Sequence, residues 1–141
     1  MKHYFSGRSK GQSLVEFALL LPVFALAVVV VFDLGRAIYY YSAIYNAARE
    51  GARYGAVHPD DVTGMRNTTV NNAFGLGMTL ANVTAGPGTP ETIDGFPNPT
   101  VKVTILYSFT PATPLLSLFL PSGKISLKGE AVMRTEVLPS P

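Results

Sequence analysis

The chain of 141 residues contains no cysteine and no tryptophan, and charged residues make up only 14% of it. The lack of cysteine excludes a disulfide framework and thiol chemistry. The length leaves room for one small domain, which must be held by packing, by its neighbours or by both. Charge is scarcest near the N-terminus, where residues 17–32 carry none and residues 12–32 carry only Glu16.

The sequence also lacks the usual signatures of an enzyme. It has no nucleophile elbow, no phosphate-binding loop and no convincing Ser/His/Asp arrangement. His58, Asp60 and Asp61 place three potential metal ligands within four residues, but no further ligand cluster accompanies them. We therefore expect no enzyme activity, no catalytic residue, no cofactor and no metal.

The distribution of charge argues against nucleic-acid binding. The chain has 11 basic and 9 acidic residues, and three of the basic ones, Lys2, Arg8 and Lys10, lie in the first ten residues, which contain no acid. The rest of the chain therefore has 8 basic and 9 acidic side chains and no basic patch. Positive charge before the apolar run indicates a cytoplasmic N-terminus and an outer remainder.

The apolar run predicts a transmembrane helix over residues 12–33. A helix over residues 12–32 is about 30 Å long, which is enough to cross the hydrocarbon core of a bilayer. A charge inside such a helix is costly unless it meets a partner, so Glu16 is a candidate functional residue. Pro22 removes a backbone donor, and we expect the helix to kink or loosen there.

Two simpler interpretations of the run compete with a functional one. A removable signal peptide would place small residues for cleavage after the run, yet the run is followed by Asp33-Leu34-Gly35-Arg36, while Gly11 precedes it. A plain signal anchor, in which Glu16 lies at the membrane end by accident, stays open.

The helix is expected to continue outside the membrane over residues 34–57. Apolar residues recur there at helical spacing: Leu34, Ala37, Ile38, Tyr41, Tyr45, Ala48 and Ala52. Tyrosines at 39–41 and 45 suit the aromatic belt of a membrane interface. Asp33 and Arg36 lie one turn apart and can pair weakly.

A second stripe on this helix consists of small residues spaced by four: Ala43, Ala47, Gly51 and Gly55. Small residues at this spacing let another backbone approach closely. The stripe therefore predicts a helix-packing face.

Residues 58–141 are expected to form a small α+β outer domain. His58-Pro59-Asp60-Asp61 ends the long helix and supplies a cap for the next one. A weaker helical pattern predicts a second, shorter helix over residues 62–80, and the dense Gly and Pro of residues 84–99 predict a surface loop.

Two strands complete the predicted fold. Clean alternation predicts a strand at residues 100–109, and a second strand region lies within 124–137, where Gly129 suggests a bulge or bend. The two should form an antiparallel pair laid against the helix. Five large apolar side chains within residues 111–121 should either fold over the sheet or meet a neighbouring subunit.

Asn67 and Asn82 begin tripeptides that fit the acceptor pattern for N-glycosylation. Such tripeptides also arise by chance. The two sites are therefore minor candidates for modification.

The N-terminal segment resembles a known family. Gly11, followed by Glu16 at the fifth position after it, resembles the class III prepilin signal of type IV pilin-like proteins. The strings at residues 12–22, 32–37 and 46–54 resemble the TadE-like family of pseudopilins from tight-adherence (Tad, or Flp) pilus systems. The resemblance covers about Gly11 to Tyr54, and the rest of the chain matches only in general layout.

The resemblance implies that residues 1–11 are a leader removed by a prepilin peptidase, which makes Gln12 the N-terminus. It also implies that Glu16 helps to dock subunits. The implied function is a structural subunit of a Tad-type pilus in the bacterial inner membrane, with other pilins and an assembly platform as partners. The alternative is a membrane-anchored accessory or adhesive protein that is not polymerised.

Overall fold

The computed structural model describes residues 9–93, 95–113 and 122–136, with side chains from residue 11 onward. The described elements, in chain order, are α1 Ser9–Val57, α2 Val62–Asn72, a 3₁₀ turn Leu80–Asn82, β1 Val83–Pro87, β2 Glu91–Ile93, β3 Phe96–Asn98, β4 Thr100–Phe109 and β5 Ile125–Arg134. The sheet is ordered β1-β4-β5, and β2 pairs with β3. The predicted α+β class is confirmed, with a long N-terminal helix, a shorter second helix and a small antiparallel sheet.

Helix α1 is 49 residues long and runs without interruption through Pro22. It ends one residue before His58, where Pro59 disfavours helical geometry in its predecessor. The carboxylate of Asp61 then accepts a hydrogen bond from the backbone N–H of Gly64 at 2.8 Å, which caps the start of α2. The predicted break at residues 58–61 is confirmed.

The second helix is shorter than the sequence predicted. It ends at Asn72 rather than near Leu80. Gly75 and Gly77 have φ of +75° and +60°, and this left-handed conformation is incompatible with a continuing α-helix. The prediction counted both glycines as interruptions, whereas they end the helical region.

The prediction of a loop over residues 84–99 is wrong, because strands β1, β2 and β3 lie within or overlap this range. β1 pairs antiparallel with β4, from Val83 opposite Ile105 to Pro87 opposite Val101. Pro87 is tolerated there because it lies at the end of an edge strand, where no ladder donor is required. The many Gly and Pro residues of this segment suggested a loop, although it forms the edge strand β1 and the hairpin of β2 and β3.

The antiparallel pair β4 and β5 is confirmed, with ten continuous partners from Thr100 opposite Arg134 to Phe109 opposite Ile125. Gly129 does not mark a bulge, because it pairs one-to-one with Ile105. A Cβ at Gly129 would lie 2.5 Å from Ile44 Cγ2 and 3.2 Å from the Ile44 carbonyl carbon. Glycine is needed here because the backbone of α1 approaches the strand closely.

The sheet lies along residues 34–57 of α1, which we call the outer half of the helix. At one end, the rings of Tyr40 and Phe109 meet edge to face at 5.5 Å, and at the other end Glu136 donates a backbone hydrogen bond to Ala56 at 2.7 Å. The buried core between them joins α1, α2 and the sheet: Ile44, Ala47, Ala48, Ala52, Met65, Ala73, Leu76, Met78, Val83, Val101, Val103, Ile105 and Ala131. Residues 111–113 fold back onto α1, whereas 114–121 and Val137 of the predicted segments lie outside the described residues.

Candidate assembly site

The inner half of α1, residues 11–33, has the length and composition needed to cross a membrane. None of the most apolar 18-residue window of this helix is buried. Leu14, Phe17 and Phe24 are 70%, 65% and 70% exposed, for example. Such an apolar surface has to be covered by lipid or by other proteins.

The predicted processing and docking residues lie at the start of this exposed segment. Gly11 is within α1, and nothing lies within 4 Å of the position of a Cβ there. The side-chain amide of Gln12 donates a hydrogen bond to the carboxylate of Glu16 at 3.1 Å, and both residues are exposed. Within the described residues, the carboxylate of Glu16 is therefore directed to the surface of α1, where a neighbouring chain can reach it.

The small-residue stripe lies against elements of the same chain. A Cβ at Gly51 would overlap Thr69 Oγ1 and would lie 3.1 Å from the Met65 carbonyl oxygen. A Cβ at Gly55 would lie 2.6 Å from Met65 Sδ and 3.1 Å from Val101 Cγ2. Ala43 is half-buried and Ala47 buried. The close approach that the structure describes at this stripe is that of α2 and β4 to α1.

The opposite face of the outer half of α1 is uncovered. Leu34, Ile38, Tyr41 and Tyr45 follow each other at helical spacing and are 60%, 59%, 51% and 43% exposed. They continue the exposed apolar surface of the inner half beyond the predicted membrane span. Tyr40, by contrast, turns inward and packs on Tyr107 and Phe109.

The His58 to Asp61 segment has a structural role. The hydroxyl of Tyr54 donates a hydrogen bond to Asp61 at 2.7 Å, and the ring of His58 stacks on that of Tyr54 at 4.7 Å. The hydrogen bond from Tyr54 is the main cause that lowers the pKa of Asp61 below its ordinary value, and the Gly64 N–H adds to it. No group of three or more His, Cys, Asp or Glu side chains that could hold a metal occurs in residues 9–93, 95–113 and 122–136.

The two glycosylation candidates differ in their surroundings. Asn67 is exposed on α2. Asn82 is half-buried, donates to the Leu106 carbonyl oxygen at 3.1 Å and accepts from the Thr79 N–H at 3.0 Å. A glycan on Asn82 would be attached to the same nitrogen that donates to Leu106, which leaves that nitrogen a single N–H.

Asp33 makes more contacts than the sequence predicted. It was predicted only to pair with Arg36, and Arg36 Nη1 does lie 3.3 Å from it. Asp33 is also 2% exposed and accepts hydrogen bonds from the backbone N–H groups of Ala112 at 2.9 Å and Thr113 at 2.8 Å, and from the Thr113 hydroxyl. Nothing in the sequence predicts a contact between residues about eighty positions apart. The sequence singled out Asp33 only by its position as the first charge after the apolar run.

Arg36 links the same region to the sheet. Its guanidinium carbon lies 5.7 Å from the centre of the Tyr40 ring and 5.5 Å from that of Phe109. Both distances fit cation–π contacts. The end of the sheet nearest the apolar run of α1 is thus attached to the helix by one buried carboxylate and one cation.

Residues 11–53 match the family model described as TadE-like protein. No curated protein and no solved structure matches the chain. The matched segment starts at Gly11 and includes Glu16, Pro22, Asp33 and most of the small-residue stripe. The resemblance predicted from the sequence is confirmed over this segment: residues 11–53 are similar to the TadE-like family.

Proposed function

We propose that this protein is a pilin-like structural subunit that a prepilin peptidase processes and that a Tad-type pilus incorporates, as a pseudopilin or as a filament component. Cleavage after Gly11 would remove the basic leader and make Gln12 the new N-terminus. The observation that supports this proposal best is the inner half of α1, which is apolar, uncovered and carries one carboxylate close to its start.

The exposed carboxylate gives the subunit a means of finding its register. An ionised Glu16 in the membrane costs several kcal/mol unless a partner compensates it. The α-amino group freed at Gln12 of a neighbouring subunit supplies that partner. In a low-dielectric setting the pair is strongly directional, and breaking it leaves an uncompensated charge. A register-setting contact between packed helices is therefore the role we assign to Glu16.

The proposed location follows from charge and hydropathy. Lys2, Arg8 and Lys10 would remain on the cytoplasmic side of the inner membrane before cleavage, and residues 58–141 would lie outside. Assembly would carry the domain to the cell exterior. The partners in this scheme are other pilin-like subunits, the prepilin peptidase and the assembly platform of the inner membrane.

The test compares two substitutions of the same kind on one helix. Glu16→Ala should leave membrane insertion and processing intact but reduce incorporation into filaments, because the register-setting charge is gone. Glu50→Ala is the matched control, since Glu50 pairs with Arg53 at 2.9 Å on the surface, and such pairs are worth about 0–1 kcal/mol. Crosslinking in membranes and fractionation of sheared filaments measure both.

Equal incorporation of the Glu16→Ala protein and the parent would contradict the proposal. If the parent itself inserts but never enters a crosslinked or sheared filament fraction, the protein is an anchored accessory or adhesive protein that is not polymerised. Both results are read directly from the same fractions.

A further inference from the structure

Asp33 is the one charged side chain that is buried in the described part of the chain. Its carboxylate accepts the N–H groups of Ala112 and Thr113 and the hydroxyl of Thr113, and Arg36 adds a cation at 3.3 Å. We refer to Asp33, Ala112 and Thr113 as the Asp33 clamp. The clamp joins residues about eighty positions apart in the sequence and holds the turn after β4 to α1.

The clamp is located where the uncharged run of α1 ends. Phe32 is the last residue of that run, and Asp33 follows it directly. A lone carboxylate at this position could be protonated and slide into the bilayer. The clamped carboxylate would have to carry the segment after β4 with it, and irregular backbone exposed to lipid is not tolerated in the hydrocarbon region. The clamp would therefore resist movement of Asp33 into a bilayer.

The distance from Asp33 to Glu16 is shorter than the membrane is thick. The two residues are 17 positions apart, which corresponds to about 25 Å of helix. The hydrocarbon core of a typical bilayer is about 30 Å thick. With Asp33 held at the outer boundary, Glu16 lies roughly 4 to 5 Å inside the inner boundary, and tilt of the helix would increase that depth.

We propose that the Asp33 clamp is a positioning device that sets the depth of Glu16 in the membrane. By holding Asp33 at the outer surface, it keeps the Glu16 carboxylate below the inner surface, where the carboxylate needs a partner charge from a neighbouring subunit. The inference rests on the proposed membrane placement of α1 and on the proposed pairing of Glu16. It assigns to the outer domain a direct influence on the assembly residue at the other end of the span.

Depth can be measured by thiol labelling, because the chain contains no cysteine of its own. Leu14→Cys and Leu34→Cys, introduced one at a time, report the two ends, and both positions are exposed on the protein surface. Leu14 is 19 positions before Asp33, about 28 Å along the helix, and therefore still within the hydrocarbon in the clamped state. A membrane-impermeant maleimide is applied to full-length protein in membrane vesicles of either orientation.

In the parent we expect labelling of Leu34→Cys from outside and protection of Leu14→Cys from both sides. Asp33→Leu removes the clamp and extends the apolar run, so α1 should settle inward by about one turn, or ~5 Å. Labelling should then be lost at position 34 and gained at position 14 from the cytoplasmic side. Unchanged labelling in Asp33→Leu, with the outer domain still resistant to protease, would overturn the proposal.

A second pair of variants keeps the test decisive if Asp33→Leu unfolds the outer domain. Thr113→Val removes the hydroxyl donor with little change of shape, and Thr113→Ser keeps it. We expect a partial shift of labelling in Thr113→Val and the parent pattern in Thr113→Ser. Identical patterns in the two variants would overturn the role of the clamp in setting depth.

Filament incorporation of the same variants tests the link to assembly. Variants that shift Leu14→Cys toward the cytoplasm should also lose incorporation, and Thr113→Ser should retain it. A shift in depth with incorporation at the parent level would overturn the positioning role. Failure of the proposed function is distinguishable, because then the parent is not incorporated either, while the labelling pattern still decides whether the clamp sets depth.

Discussion

Gly129 allows a sharp test of how the outer domain is attached to α1. Its backbone is so close to the helix that a Cβ would lie 2.5 Å from Ile44 Cγ2 and 3.2 Å from the Ile44 carbonyl carbon and oxygen. Gly129→Val adds that Cβ and two further methyl groups. Because the nearest atoms include the backbone of a long helix, the clash cannot be relieved by a side-chain rotation alone.

The expected magnitude follows from two opposing effects. Replacing glycine inside a strand removes a conformational cost of about 0.5–1 kcal/mol, whereas overpacking a core costs about 1–3 kcal/mol. With backbone atoms in contact we take the upper end, which leaves a net loss of about 2 kcal/mol. For a domain of this size, that lowers the thermal midpoint by roughly 8–16 °C.

Gly86→Val is the matched control on the same sheet. Gly86 lies in β1 opposite Lys102, and nothing occurs within 4 Å of the position of its Cβ. The same substitution should there be neutral or slightly stabilising. Circular dichroism of full-length protein in detergent, followed during heating, measures both. An unchanged midpoint for Gly129→Val, or an equal fall for Gly86→Val, would refute the reasoning that α1 and β5 touch here.

Two further predictions concern pH and can be measured as unfolding midpoints across acidic and neutral conditions. The ammonium groups of Lys102 and Lys128, each 2.8 Å from the Glu130 carboxylate, lower the pKa of Glu130 from 4.5 to about 2. The stabilisation from Glu130 is therefore fully present above pH 4.5 and is lost as the pH falls toward 2. Glu130→Gln should remove this part of the pH dependence, and a parent-like slope would contradict it. Tyr54→Phe removes the hydrogen bond that is the main cause of the lowered pKa of Asp61. The variant should therefore have a lower unfolding midpoint than the parent at neutral pH and the same midpoint once Asp61 is protonated. A difference in midpoint that stays constant at every pH would contradict this prediction.

Periodicity in the sequence was enough to predict the elements with strong patterns. From Val101 to Phe109, the residues of β4 alternate between a more buried and a less buried face. The break between α1 and α2 is marked by Pro59 and by Asp61, which caps α2. Both signals are local, so no tertiary information was required. The weak elements were missed for the same reason. The glycines and prolines around β1 to β3 suggested a loop, and the glycines after α2 were counted as interruptions of a longer helix.

Contacts between distant parts of the chain could not be predicted. The close approach of Ile44 to Gly129 joins positions 85 residues apart, and a glycine in a strand pattern indicates a bulge and a close backbone contact equally well. The burial of Asp33 depends on donors near residue 113, which carry no sequence mark of their own. The candidate residues Gly11, Gln12 and Glu16, by contrast, were predicted from a local motif and its resemblance to a family.

The central claim is that the chain is processed after Gly11 and then assembled, and the N-terminus of the assembled material tests it most directly. Intact mass and N-terminal sequencing of protein from sheared filaments should show a chain that begins at Gln12, without the three basic residues of the leader. Recovery of filament material that still carries Lys2, Arg8 and Lys10 would contradict the account.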